Sequence, residues 1–148
     1  MYELNLVGGC MKLTKQDQEL IDIASKVVLE NCDLYEKPNM HVGCALRVKS
    51  GKVYTGVNIK TSHSICAEQV AIGQALANGE RDFDVIVSCN LSSDKKPRVV
   101  SPCGVCRYTF DKLGLNLNVI VADENGIIKK VSAEELLPYP YKREKQLR

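Results

Sequence analysis

Four residues in two short stretches have the types and spacing that catalysis at a metal needs. The first stretch is SICAEQV, residues 64–70, where Cys66 stands two positions before Glu68. The second is SPCGVCR, residues 101–107, which holds Cys103 and Cys106. Both stretches fall where a strand or loop turns into a helix. Exposed N–H groups and the helix dipole favour negative charge there, which lowers thiol pKa values and suits thiolate ligands. Two residues between Cys103 and Cys106 put both sulfurs on one side of the first turn, within reach of one ion. Zinc accepts tetrahedral sulfur readily, and a catalytic zinc keeps one position open for water. Cys66, Cys103 and Cys106 supply three thiolates and leave that position free. Glu68, close to a ligand without having to be one, can take the proton of an activated water and pass it on.

Two other readings of these residues stand beside that one. A closed structural zinc would need a fourth ligand, from His41, His63 or Cys89, and would make Glu68 a bystander. A redox-active PCGVC pair at a helix start would leave Cys66 and Glu68 without a task. Zinc content separates the redox reading from the other two, and a Glu68→Gln variant separates catalysis from structure.

The elements that must position these residues are legible from periodicity. Thr14 followed by Asp17 marks a helix start, and Leu20, Ile23, Ala24, Val27 and Val28 recur at helical spacing up to about Cys32. VGCALRV and KVYTGVNI are strand-like runs that share a KSGK turn, a hairpin signal. A helix from about Cys66 to Asn78 closes at Gly79, and DVIVSCN reads as a buried strand. LSSDKKPRVV reads as a polar loop. CGVCRYTFDKLG follows as a second helix, with Pro102 before it and Gly114 after it. LNVIVAD and IIKKV flank the turn residues ENG, and Ser132 caps a last turn, AEELLP. The fold expected is α/β: a central mixed sheet sandwiched by helices in three layers. Residues 1–12 read as an N-terminal extension and residues 13–148 as one domain.

Composition narrows the function classes. Twenty basic and 18 acidic residues give a net charge of +2 over 148 residues, without a basic stripe for a nucleic-acid polymer. The chain has no apolar run long enough to span a bilayer and no signal-peptide pattern, so no membrane partner and a cytoplasmic location are expected. Seven cysteines in a reducing compartment argue for metal or packing rather than disulfides. Cys10, Cys32, Cys44 and Cys89 read as inert packing thiols.

Cys66-Ala67-Glu68 together with Pro102-Cys103-x-x-Cys106 resembles the zinc-dependent cytidine deaminases in their small, three-cysteine form, whose signature is a general one for zinc nucleobase deaminases. VGCALRVKSGKVYTGVNI, SPCGVCR and ELLPYPY are similar to successive blocks of that family over roughly residues 13–141. The resemblance implies one zinc ion per subunit, held by Cys66, Cys103 and Cys106. It implies Glu68 as the proton shuttle in hydrolytic removal of ammonia from a cytosine-type nucleoside, cytidine or deoxycytidine. It also implies that the backbone at Ala67 and Ser101 holds the ring's polar edge and that Asn58 binds the sugar. A homotetramer is implied as well, with Tyr141 lent across a subunit boundary.

Three positions depart from the family pattern. The glutamate that follows Asn58 at a spacing of two in the family is Lys60 here, a cation suited to an anionic substituent or a carbonyl, or else turned to solvent. An aromatic that packs on the base is Met40, a more adaptable contact. The arginine that offsets thiolate charge after the catalytic glutamate is Gln69, which leaves two helix N-termini, each worth roughly half a positive charge, and Arg107 as compensation. The related blasticidin S deaminases also lack the ribose-binding carboxylate, and their carboxylated substrate makes an anionic cytosine analogue the alternative substrate.

Overall fold

The computed structural model describes residues 11–31 and 41–141. Thr14 opens helix α1 (Lys15–Glu30) with a complete capping box: its hydroxyl accepts the Asp17 N–H, and the Asp17 carboxylate accepts the Thr14 N–H. Leu20, Ile21, Ala24 and Val28 form the buried stripe of this helix. Strands β1 (Val42–Val48) and β2 (Val53–Val57) make the expected antiparallel hairpin. Helix α2 (Ala67–Ala77) follows, then strand β3 (Phe83–Leu91). A short strand β4 (Pro97–Val100) leads to helix α3 (Gly104–Lys112). Strands β5 (Asn118–Ala122) and β6 (Ile128–Ser132) and a 3-10 turn at Glu134–Leu136 complete the order.

The sheet runs β2-β1-β3-β5-β6, and β4 also pairs with β3. β3 is the centre: β1 lies antiparallel on one side, and on the other its first half pairs parallel with β5 and its second half antiparallel with β4. Pleat alternation sorts its side chains into two layers. Val85, Val87 and Cys89 pack with α1, whereas Ile86 joins Cys44, Leu46 and Val119 against α2 and α3. The three-layer α/β/α sandwich with a mixed sheet is therefore as expected from the sequence. Gly79 (φ +82°) and Gly114 (φ +62°) follow α2 and α3 at the anticipated stops.

One expectation fails. Residues 91–100, read as a polar loop, contain β4, because the second half of β3 has no other partner on the side that β5 leaves. Pro97 tolerates the first strand position, where its missing N–H costs nothing. Met11, inside the expected extension, pairs with Lys130 of β6 in an isolated bridge.

A buried charge network ties α1 to the sheet. Asp17 is fully buried and ion-pairs with Arg47 of β1 at 2.9 Å and with Lys130 of β6, and Arg47 also holds Asp84 of β3 at 2.7 Å.

Candidate active site

The close approach of α2 to β2 sets the site's position. Gly56 is buried beneath the first turn of α2, and a Cβ there would lie 2.4 Å from the Ala67 carbonyl oxygen. Cys66 is the N-cap of α2 and Cys103 the N-cap of α3, each with extended backbone (φ −74° and −68°). Both sit one position earlier than the first-turn placement expected, and Cys106 lies within the first turn of α3. The two helix starts converge, so the Cys66 and Cys103 Sγ atoms are 3.5 Å apart and the Cys103 and Cys106 Sγ atoms 3.8 Å apart. All three lie within 4.8 Å of one another, and among the described residues no other His, Cys, Asp or Glu joins the group. Zn–S bonds of about 2.3 Å at tetrahedral angles separate sulfurs by roughly 3.8 Å, so this donor set fits zinc without rearrangement and leaves one coordination position open. A structural site closed by His41, His63 or Cys89 does not form.

The thiols differ electrostatically. Burial pushes the Cys66 thiol up, and its neighbour Cys103 and the Glu68 charge add to that. The Cys106 thiol is pushed far up by burial, then by the charges of Glu68, Cys66 and Cys103. Burial also opposes the Cys103 thiolate, but the Cys106 N–H, the Cys66 and Cys106 thiols and the Val105 N–H outweigh it and bring its pKa below the ordinary thiol value. Three sulfurs that repel one another's negative charge, set against a helix start, are a receptor for a divalent cation.

Glu68 lies in the first turn of α2 and is 6% exposed. It is near enough to the buried Cys44 and Cys106 thiols to raise both pKa values, burial being the larger cause in each. It lines a narrow gap over β3 together with Ser88 and Pro102.

Neighbouring side chains brace the two helix starts. The Gln69 Oε1 accepts the Cys66 N–H at 3.3 Å, and its Nε2 donates to the Thr109 hydroxyl of α3 at 3.2 Å. Gln69 is thus a neutral strut between α2 and α3. Arg107 donates to the carbonyl oxygens of Pro102 (2.9 Å) and Leu136 (3.2 Å), so it pins the backbone beside Cys103 to the C-terminal turn.

The residues expected at the substrate scatter around this centre. Asn58 is buried and its Oδ1 accepts the Val42 N–H at 2.8 Å. Lys60 is exposed in the loop closed by the Ile59–Ile65 bridge, just before Cys66. Ala67 is buried in α2, and the exposed Ser101 donates its hydroxyl proton to the Ala122 carbonyl. His41 is buried, and His63 is exposed in the same loop as Lys60. Tyr141 is away from its own chain's cysteines: its carbonyl accepts from Lys112 at the far end of α3, and its ring lies 5.8 Å from that ammonium. Met40, Cys10 and Cys32 lie outside the described residues. Ser88 was not singled out from the sequence; its only signal there is a lone hydroxyl inside the apolar run VIVSCN.

Comparison with known proteins follows the same outline. The family described as the cytidine and deoxycytidylate deaminase zinc-binding region matches residues 14–123. Blasticidin-S deaminase from Bacillus cereus is 37% identical over 138 residues, covering 88% of this chain and 96% of that one. A probable cytidine deaminase from Dictyostelium discoideum is 34% identical over 109 residues, covering 72% and 71%. The crystal structure of cytidine deaminase from Burkholderia pseudomallei matches with a TM-score of 0.68 at 29% identity, covering 87% of this chain and all of that one.

Proposed function

The chain belongs to the zinc-binding cytidine and deoxycytidylate deaminases, and on that footing we propose that it hydrolyses the exocyclic C–N bond of a cytosine-type nucleoside, cytidine or deoxycytidine, to give the uracil form and ammonia. The observation that carries this reading is the cluster of three thiols within 4.8 Å beside a buried glutamate two residues from one of them.

Cys66, Cys103 and Cys106 would hold the zinc ion, which when bound would supply Lewis acidity for activating water near neutral pH. Glu68 accepts the proton of the attacking water and delivers it to the ring nitrogen. It then takes the second proton and gives it to the departing amine, so water in and ammonia out balance. The backbone at Ala67 and Ser101 orients the ring's polar edge, and Asn58 and Lys60 face the sugar side. The sandwich walls of Ile86, Val100 and Val119 keep bulk water from the carboxylate's inner side.

A second reading of the substrate rests on Lys60. A cation two residues after Asn58 suits a cytosine ring whose substituent is anionic, and the relative of 37% identity carries the name of a blasticidin-S deaminase. Ultraviolet-monitored deamination by the zinc-loaded protein, with cytidine, deoxycytidine, cytidine monophosphate and blasticidin S offered in parallel, decides between them. Turnover of the nucleosides supports the first reading, and turnover of the anionic compounds alone supports the second. Silence on all four refutes both.

Within this reading the protein acts in pyrimidine salvage, in the cytoplasm and as a homotetramer. Exposed Val105, Tyr108 and Leu113 along α3, with Tyr141 beside them, give the apolar surface that such an assembly would cover. Five free thiols among the described residues suit a reducing compartment, and no described helix is long and apolar enough to cross a membrane.

A further inference from the structure

Ser88 stands at the middle of β3, 4% exposed, with its hydroxyl fully enclosed and without a hydrogen-bond partner. Strand register places it between Cys44 of β1 and Val100 of β4. Its parity with Ile86 turns it to the face that packs against α2 and α3. It sits close enough to the Cys44 thiol to ease that group's ionisation, but the pair lacks hydrogen-bond geometry. A buried hydroxyl with no partner costs roughly 1–3 kcal/mol, so its presence in a sheet centre calls for a reason.

The surroundings supply one. Ser88 opens onto the narrow gap whose other walls are aliphatic, Ile86, Val100, Pro102 and Val119 among them, with one polar exception, Glu68. The gap is too narrow to admit a water molecule, so solvent cannot satisfy the hydroxyl. Glu68 is the one carboxylate among the side chains that line the gap with Ser88. We propose that Ser88 is a positioning residue: its hydroxyl donates to the inner oxygen of the Glu68 carboxylate and fixes the rotamer from which the outer oxygen exchanges protons with water and ring. This deepens the deaminase reading and rests on it for its catalytic consequence, while the Ser88–Glu68 contact itself does not.

The experiment has a stability arm and a kinetic arm on the zinc-loaded protein. Removing an orphan hydroxyl leaves stability unchanged or raises it, whereas removing a bonded one lowers it. Ser88→Ala is expected to lower Tm by about 3 °C or more, and the same change in a Glu68→Leu background is expected to lower it by less than about 1 °C. With the better nucleoside substrate, Ser88→Ala is expected to reduce kcat by between about tenfold and a hundredfold, with KM and zinc content unchanged. Ser88→Thr, which keeps the donor, restores most of kcat, whereas Ser88→Cys, a weak donor of similar shape, behaves like alanine and serves if the alanine variant does not fold. An unchanged or raised Tm, an equal loss in both backgrounds, or kcat within twofold of the parent overturns the proposal. A parent protein that deaminates nothing refutes the function instead and leaves the stability coupling to be read by itself.

Discussion

Gly56→Ala tests whether the α2 start is held against the hairpin by a backbone contact. The added Cβ would meet the Ala67 carbonyl oxygen at 2.4 Å, the Ala71 nitrogen at 2.7 Å and Val70 Cβ at 3.0 Å, where ordinary contact begins at 3.4 Å. Two of the three obstacles are backbone, which cannot rotate away, so the first turn of α2 must retreat by about 1 Å. Overpacking of this kind costs roughly 1–3 kcal/mol, which lowers Tm by about 2–10 °C in a chain of this size. Ala67 lies between Cys66 and Glu68, so both are carried with it. A displacement of about 1 Å at reacting groups costs roughly a hundredfold in rate. Gly73→Ala, on the same helix with nothing within 4 Å of the new Cβ, is the control and should leave activity unchanged while gaining up to about 1 kcal/mol of helix propensity. Thermal unfolding, zinc analysis and deamination rate are measured on both variants. A Gly56→Ala protein within about 1 °C and twofold of the parent refutes the claim that this contact positions the site.

Glu68→Gln keeps zinc, by metal analysis, but loses at least about a thousandfold in turnover, because the amide cannot accept the water's proton; retained activity removes the mechanism. Lys60→Glu raises kcat/KM for cytidine by roughly tenfold and lowers it for an anionic analogue if residue 60 faces the sugar, and an unchanged ratio places it in solvent. Burial opposes the charge of Asp17, but Lys130, the Thr14 N–H and Arg47 outweigh it and hold its carboxyl at about 2, below the ordinary 3.8. A depressed carboxylate stabilises the fold fully above its unfolded value and loses that as pH falls. Urea denaturation should therefore show about 2 kcal/mol disappearing between roughly pH 5 and pH 2. Asp17→Asn should remove that slope and, by leaving the buried Lys130 without its carboxylate while Arg47 keeps Asp84, cost about 3 kcal/mol at pH 7.

The sequence carried the local part of this structure and little of the long-range part. Thr14 and Asp17 announce a capping box within one turn, and Cys66, Glu68, Cys103 and Cys106 announce their chemistry through spacing alone. β4 was hidden because PRVV becomes a strand only where β3 outruns β5, a vacancy that no local propensity encodes. Asp17 reads as a cap, and its second role appears only when Lys130, 113 residues away, is folded beside it. Gln69 illustrates the same limit. On the family pattern it is a missing positive charge, but in the fold it is a strut from the Cys66 N–H to Thr109. The Cys103 thiolate is eased by the Cys106 and Val105 N–H groups and by its two neighbouring thiols, while Arg107 donates to the carbonyl oxygens of Pro102 and Leu136. A zinc centre whose ligands Cys66 and Cys103 are the N-caps of α2 and α3 depends on where the two helices begin. That places the control of reactivity in the packing of α2 on Gly56 and of α3 on α2, outside the residues that touch the substrate.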